Sequence, residues 1–535
     1  MIKYFKYTKY LLFVILIIFT FVFQHSVPVL LFELCELIVV LIVSNILVSK
    51  NRAVGRIVNT VLCLLLGIQI LVHLFTLEFL NLVMLSNITL IEDLSGKAYV
   101  YIPVVLLVVT ASVLPIDCFQ KICKHNTSIL STALALELVF TLILGNTFSP
   151  FYNLALMLKK YNERQEFVSR IDSADNITNL FYSAQVTDHR SKPEDLPDSP
   201  NVVLIFVEGF SQSVVDDSRG LMPNVEYWEN NSLNFTGYYN HTFATYRGLS
   251  GQLFSGYSYE DRDVNSLVSL PQIFSDIGYS TTFINSEPYN IQFEEYLERL
   301  GFDSVIADTG SYSGPWNSLS DREALDLLFE TISNQSDSNE PFFTAMYTYG
   351  THVTLDSPDL TYGDGNNAVL NKFYNFDYWF GEFMERFNES PLADNTIIIF
   401  TADHATYEDL DFSQTFPDYE RLFSEADEIP FFIYYNGIEP EEIDVAGRNS
   451  LSLAPTILDY LDISAPNYFL GFSLFMSAVN SNNYDTIFSD GLNSNIISTE
   501  GGNIRSLYEN EYAVVSENLT NYYIASSQSP IALYH

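Results

Sequence analysis

Carboxylate and imidazole side chains follow three apolar runs of the sequence at the point where each run ends. Glu208 follows NVVLIFV, the pair Asp403 and His404 follows NTIIIFTA, and His352 follows PFFTAMYTY within GTH. Carboxylate oxygens together with a histidine nitrogen form a ligand set that suits zinc or manganese. Glu208, Asp403 and His404 therefore predict a metal site if their strands are neighbours. The alternative is that each acid is an ordinary surface residue at a strand end.

Thr245 opens a predicted helix within HTFATYRGLSGQLFSGY, and Ser255 and Gly256 end that helix. The free backbone N–H groups of a helix N-terminus can hold a phosphate while a metal lowers the pKa of a hydroxyl there. Thr245 is therefore a candidate nucleophile, and the alternative is that it only caps the helix. Arg247 could pair with phosphate oxygens or with one of the many acids nearby.

The elements that must position these residues begin at Asn201. From there, short apolar runs alternate with amphipathic stretches such as SLPQIFSDIGY, IQFEEYLERLGF and REALDLLFETIS. Continuous apolar runs between helices are typical of a mostly parallel sheet that is covered on both faces. The predicted fold class is α/β. In such sheets ligands bind beyond the carboxyl ends of the strands, where the candidate ligands lie.

The N-terminal part of the chain is different, because it contains apolar stretches near the ~20 residues that cross a bilayer. These five stretches are roughly 10–27, 31–49, 57–82, 98–116 and 129–146. The lysines and arginines of the short loops lie on one side, with Lys97 alone on the other, which predicts a cytoplasmic N-terminus. Five crossings of the inner (cytoplasmic) membrane then place the remainder outside it.

Three regions are therefore predicted. Residues 1–146 form a transmembrane region of five helices, and residues 147–198 form a connector whose first part has the apolar spacing of an interfacial helix. Residues 199–535 form an extracytoplasmic catalytic domain. Glu137 falls in the middle of the last span, where it forms helix–helix hydrogen bonds or is a protonated acid, or else lines a substrate channel.

Charge and cysteine usage narrow the class of protein. The formal net charge is −40, so the chain repels nucleic acid, and an anionic substrate must meet a local cation such as a bound metal. The alternative interpretation of that charge is a solvated surface suited to a salty habitat. The four cysteines, Cys35, Cys63, Cys118 and Cys123, all precede residue 147, so the exported domain has no disulfide framework.

The order of these features, over about residues 199–475, resembles the sulfatase-like branch of the alkaline phosphatase superfamily. The features that carry the resemblance are NVVLIFVEGFSQS, the segment from MPNVEYWENN to GQLFSG, TYGTH, NTIIIFTADH, and SLAPTILDYLDI with GFSLF. Within that branch the chain is similar to the lipoteichoic acid synthases and related membrane phosphoglycerol and phosphoethanolamine transferases. The five-span anchor matches their architecture as well.

The resemblance implies roles for individual residues. One divalent metal, manganese or zinc, would be held by Glu208, Thr245, Asp403 and His404, and Thr245 would also be the nucleophile. His352 would touch the transferred phosphate or protonate the leaving alcohol. Trp316, in GPWNSLSDRE, would be a substrate-site tryptophan, and the alternative is an aromatic core residue.

Where this sequence departs from the family pattern, the differences favour some activities of the family over others. Thr245 stands where a sulfatase needs an oxidisable Cys or Ser, and the domain has too few histidines for two metals. Phosphoethanolamine transferases usually carry another histidine after the Asp–His pair, whereas ATYEDLDFSQTF has none. The predicted function is transfer of a phospho-alcohol head group, phosphoglycerol favoured, from a membrane phospholipid through a phospho-threonine to a surface glycan or polymer. The alternatives are phosphoethanolamine transfer to lipid A, core sugars or another surface glycan, and a non-catalytic membrane scaffold.

Overall fold

The computed structural model describes residues 8–530 except for 82–83, 86–97, 119–122, 172, 187–189, 195, 260–264, 308–309, 339, 422, 424, 477–483 and 492–494. The chain divides into two compact units. One contains residues 1–166 together with 409–411, and the other contains residues 167–408 and 412–535.

The first unit is helical. Its described helices are α1 (Thr8–Gln24), α2 (Val27–Lys50), α3 (Arg52–Thr76), α4 (Ala98–Val113) and α5 (Asn126–Leu144), and α6 (Pro150–Ile171) begins in it. By length and composition α2, α3 and α5 could each cross a membrane, whereas α1 and residues 101–113 of α4 are shorter apolar helices. Each predicted apolar stretch thus contains a helix, while the count of five crossings stays a prediction. Glu137 lies in α5, and its role also stays a prediction.

Buried polar groups tie the helices of this unit together. Lys9 donates from Nζ to the carbonyl oxygens of Ser112 at 3.0 Å and Leu114 at 2.8 Å, which links α1 to the end of α4. Glu36 of α2 accepts a hydrogen bond from the backbone N–H of Phe151. Because a buried polar group without a partner is costly, such bonds fix how the helices pack.

The second unit is built on a sheet of eight strands among the described residues, in the order β4-β3-β5-β1-β6-β7-β2-β8. The strands are β1 (Asn201–Val207), β2 (Leu233–Thr236), β3 (Ser280–Ile284), β4 (Ser304–Ile306), β5 (Phe342–Thr348), β6 (Thr396–Ala402), β7 (Phe431–Tyr434) and β8 (Glu441–Asp444). All neighbouring strands are parallel except β7, which runs antiparallel to both β6 and β2. The predicted α/β fold with a mostly parallel sheet is confirmed.

The helices of this unit are α7 (Gln212–Val215), α8 (Pro223–Asn230), α9 (Thr245–Phe254), α10 (Leu270–Asp276), α11 (Ile291–Leu297), α12 (Asp321–Ser336), α13 (Ala368–Asn388), α14 (Leu410–Thr415), α15 (Leu453–Tyr460) and α16 (Glu509–Ser526). Every residue of β1, β5 and β6 is buried, which explains their continuous apolar sequences.

A second, three-stranded antiparallel sheet lies near the C-terminus. It contains β9 (Ile487–Ser489), β10 (Ile496–Ser498) and β11 (Arg505–Ser506), in the order β11-β10-β9. An apolar core beside it includes Phe167, Tyr259 and Tyr523, whose rings are in contact. Phe167 belongs to the segment predicted as a connector, so the end of that segment packs within the second unit.

Candidate metal and nucleophile site

The register of the central strands brings two of the candidate ligands together. Val207, the last residue of β1, is paired with Ala402, the last residue of β6. The residues that follow, Glu208 and Asp403, therefore continue the same register, and their side chains leave the sheet on the same face. A buried acid therefore follows each of two adjacent parallel strands.

Glu208, Asp403 and His404 form a compact group. The Nε2 atom of His404 lies 3.6 Å from Oε1 of Glu208 and 3.5 Å from Oδ2 of Asp403. One ligand atom from each residue lies within 4.8 Å of the others, and all three side chains are buried. The donor set of two carboxylates and one imidazole suits a divalent cation such as manganese or zinc.

The hydrogen bonds of Asp403 and His404 also fit a cation. Asp403 accepts through Oδ1 from the backbone N–H groups of Gly209 at 2.8 Å and His404 at 2.7 Å, while its buried Oδ2 accepts no hydrogen bond. His404 donates from Nδ1 to the carbonyl oxygen of Ala405 at 2.7 Å, which leaves the Nε2 lone pair facing the carboxylates.

The pKa shifts of Asp403 and His404 also support a metal site. Burial and the neighbouring Glu208 carboxylate raise the pKa of Asp403 well above its ordinary value. Burial also lowers the pKa of His404, so its imidazole is neutral near pH 7 and able to coordinate a metal. Two acids beside one another in a buried site need a positive charge to be ionised together, which a divalent cation supplies.

Thr245 is the first residue of α9, and its hydroxyl points to this group. Oγ1 of Thr245 donates to Oε2 of Glu208 at 2.9 Å. The N-cap position belongs to Ala244, which makes no side-chain capping bond. Thr245 is therefore not the capping residue, and its half-buried hydroxyl is turned toward the candidate ligands.

The backbone before Thr245 has an uncommon conformation. Ala244 has φ of 77° and ψ of 142°, a region that residues other than glycine rarely adopt. Such a conformation costs on the order of 1–3 kcal/mol and is often found at functional sites. It turns the chain sharply from His241–Phe243 into the start of α9.

Helix α9 approaches the end of β6 very closely at Gly248. A Cβ atom at this position would lie 2.2 Å from the carbonyl oxygen of Asp403, so only glycine fits. One turn later, Nε2 of Gln252 donates to the carbonyl oxygens of Ala402 at 2.9 Å and Asp403 at 3.2 Å. These contacts fix the start of α9, and hence Thr245, relative to the metal-ligand candidates. Gly248, the first glycine of RGLSGQ, is the sequence feature that could have predicted this close approach.

Two further residues contact Glu208 and were not predicted. The hydroxyl of Tyr347, near the end of β5, donates to Oε2 of Glu208 at 2.6 Å, and Thr351 donates from Oγ1 to the Glu208 carbonyl oxygen at 2.5 Å. Burial raises the pKa of Tyr347 well above its usual value, so the phenol stays protonated. Both residues lie in PFFTAMYTYGTH, where attention to the polar residues beside His352 could have found them.

His352 lies in the loop after β5, half-buried. It donates from Nδ1 to the carbonyl oxygen of Val353 at 2.8 Å, which leaves Nε2 available. The loop is held by Lys372, whose Nζ donates to the His352 carbonyl oxygen at 3.1 Å. His352 is also within electrostatic range of Glu208 and His404. Its contact with phosphate or with a leaving alcohol stays a prediction.

The other two predicted substrate residues have less support. Arg247 is almost fully buried and forms an ion pair with Asp490, so the acid-pairing alternative is the arrangement observed. A phosphate contact by Arg247 stays a prediction. Trp316 lies in the short 3₁₀ turn Pro315–Asn317, but its side chain is outside the part of the chain that the structure describes.

Comparisons with known proteins agree with this fold. Residues 200–463 match the family model described as Sulfatase. No match to the chain is found among curated protein sequences.

Solved structures share the fold, and two of them cover about two thirds of this chain. A protein of the alkaline phosphatase superfamily from Vibrio parahaemolyticus is 18% identical with a TM-score of 0.52, covering 68% of this chain and 95% of that one. The lipoteichoic acid synthase LtaP from Listeria monocytogenes is 16% identical with a TM-score of 0.52, covering 65% of this chain and 97% of that one. Residues 200–463 thus match the Sulfatase family model and share the fold of these two solved structures.

Proposed function

We propose that this protein is a membrane-anchored phosphotransferase in which Thr245 is the nucleophile. The observation that carries the proposal is the hydrogen bond from the Thr245 hydroxyl, at the start of α9, to Glu208 of the buried Glu208–Asp403–His404 group. A nucleophile on the first turn of a helix faces free backbone N–H groups that can hold a phosphate. Threonine at this position also excludes the formylglycine chemistry that a sulfatase needs.

The metal is one divalent ion, manganese or zinc. The residues that would hold it are Glu208, Thr245, Asp403 and His404, because their oxygen and nitrogen donors suit such an ion. In addition, the buried Oδ2 atom of Asp403 accepts no hydrogen bond. When bound, such an ion would neutralise charge that develops on the transferred phosphoryl group.

The reaction has two displacements at phosphorus. Oγ1 of Thr245 forms a bond to the phosphorus of a phospholipid head group, the bond to diacylglycerol breaks, and a phospho-threonine remains. An acceptor hydroxyl then forms a bond to the same phosphorus, and the bond to Thr245 breaks. In sum, the threonine proton ends on diacylglycerol and the acceptor proton ends on Thr245. Nε2 of His352 would contact the phosphate or give a proton to the leaving alcohol.

The apolar helices of the first unit support a membrane phospholipid as donor. They would hold the protein in the cytoplasmic membrane, with a cytoplasmic N-terminus and the catalytic domain outside. The acceptor would be a surface glycan or polymer. Phosphoglycerol is favoured as the head group because no histidine follows His404 in ATYEDLDFSQTF, and the fold shared with LtaP is compatible with this choice.

The test is the mass added to Thr245 in full-length protein isolated from growing cells. A phosphoglycerol mass supports the favoured donor, whereas a phosphoethanolamine mass would replace it with the runner-up. Thr245→Ala removes the attacking oxygen and should abolish the adduct and lower diacylglycerol release by orders of magnitude. Thr245→Ser keeps a hydroxyl and should retain part of the activity. If Thr245→Ala releases diacylglycerol at a rate near that of the unmodified protein, the covalent mechanism is wrong.

The same measurements separate the enzyme from a non-catalytic scaffold. A scaffold should carry no adduct on Thr245 and should bind no stoichiometric metal after purification. The hydrogen bond from Thr245 to Glu208, with Nε2 of His404 within 3.6 Å of the Glu208 and Asp403 carboxylates, supports the enzyme.

A further inference from the structure

We propose that Tyr347 is a positioning residue that fixes the Glu208 carboxylate and, through it, both the metal site and the Thr245 hydroxyl. The inference rests on the metal site of the proposed function and adds a residue to it. Tyr347 does not belong to the Glu–Asp–His group, and the sequence motifs gave it no role. Its support comes from three features: sheet register, shared hydrogen bonding and aromatic packing.

The sheet register places Tyr347 on the correct face. Tyr347 of β5 is paired with Phe206 of β1, so the two side chains point to the same face of the sheet. Glu208 follows Phe206 by two residues and therefore projects from that same face. The phenol extends along the face by about this two-residue step, which is how its hydroxyl comes to lie 2.6 Å from Oε2 of Glu208.

The two oxygens of Glu208 have different partners. Oε2 accepts from Tyr347 at 2.6 Å and from Thr245 at 2.9 Å, whereas Oε1 lies 3.6 Å from Nε2 of His404. The Tyr347 hydrogen bond thus selects one orientation of the Glu208 carboxylate. In this orientation Oε1 faces His404, and Oε2 accepts the hydrogen bond from the Thr245 hydroxyl. Without the Tyr347 bond, the Thr245 bond alone would hold a carboxylate that can rotate about its terminal torsion.

Aromatic packing links Tyr347 to the first turn of α9, where Thr245 lies. The Tyr347 ring is 1% exposed and meets the ring of Phe293 in α11 edge to face, with centroids 5.4 Å apart. The same Phe293 ring meets Tyr246, the residue after Thr245, at 5.3 Å. One buried phenylalanine therefore contacts both Tyr347 and the residue that follows Thr245 in α9. Residues that orient a metal ligand in this way commonly contribute about 10–100-fold to metal affinity.

The experiment compares Tyr347→Phe with a matched control, Tyr279→Phe. Tyr279 is also buried, and its hydroxyl donates one hydrogen bond, to the Pro200 carbonyl oxygen at 3.0 Å, at the opposite end of the sheet. Full-length proteins in detergent are stripped of metal with a chelator and titrated with Mn²⁺, and separately with Zn²⁺. Thermal unfolding of the stripped proteins reports folding. Phenylalanine fills the same space as the ring it replaces, so both variants should fold.

Tyr347→Phe should raise the Kd for Mn²⁺ by about 10–100-fold, while Tyr279→Phe should leave it within about threefold of the unmodified protein. An unchanged Kd in Tyr347→Phe would overturn the inference while leaving the metal site and the proposed function intact. Equal weakening in both variants would also overturn it, because that outcome reports general destabilisation. If the unmodified protein itself binds neither ion, the metal site fails and this inference fails with it.

Discussion

The close contact between α9 and the end of β6 leads to a sharp prediction for Gly248→Ala. The new Cβ would lie 2.2 Å from the carbonyl oxygen of Asp403 and 2.8 Å from its carbonyl carbon. Both are backbone atoms at the end of a strand that is hydrogen-bonded on both sides, so the strand cannot easily give way. The helix must therefore move instead.

The size of the effect follows from that geometry. Restoring an ordinary contact requires a displacement of roughly 1 Å, and Thr245 lies one turn before Gly248 on the same helix. The 2.9 Å hydrogen bond from Thr245 to Glu208 would then lengthen beyond bonding distance. A misplacement of about 1 Å at a reacting group can cost about 100-fold in rate. Overpacking costs about 1–3 kcal/mol and the better helix propensity of alanine offsets about 1 kcal/mol, so the folded protein should survive.

The assay is transfer of a labelled phospholipid head group to Thr245, measured beside diacylglycerol release and thermal unfolding. Gly248→Ala should lower both rates about 100-fold with only a small loss of thermal stability. Ser250→Ala in the same helix is the control, since it removes the hydrogen bond to Ser258 and adds no volume. Its rates should stay within about threefold. If Gly248→Ala reacts as fast as this control, the helix–strand contact does not position Thr245, and the geometric reasoning is refuted.

Three other predictions concern the metal, the membrane and the charge. Alanine should replace each of three candidate protein ligands in turn: Glu208, Asp403 and His404. Each variant should stay folded but bind much less metal, as measured by elemental analysis. Full metal occupancy in all three variants would remove the site from consideration. A reporter active only outside the cytoplasm should work when fused after residue 200 and fail near residue 54, and the reverse pattern would overturn the orientation. Because the net charge is −40, added NaCl should raise the melting temperature by screening repulsion, and a melting temperature that falls with salt would contradict this.

Much of the site could be predicted from the sequence, because its central residues are marked by local patterns. Glu208 and Asp403 each follow a continuous apolar run, and such runs form buried parallel strands whose carboxyl ends meet at one edge. Thr245 was recognisable because a helix begins there. Periodicity along the chain was therefore enough for the α/β class, whereas the metal-ligand and nucleophile roles of these residues came from the family resemblance and stay predictions.

Tertiary structure decided the contacts between residues that are far apart in the chain. Arg247 pairs with Asp490, which is 243 residues away, so its partner could not be read from the local sequence. Tyr347 reaches Glu208 only because β5 pairs with β1 in one register, and a shift of one residue would turn it to the other face. Gly248 matters only because α9 lies against the end of β6. Sequence patterns specify which face a residue occupies within its own element, whereas strand order, register and helix docking determine which other element that face meets.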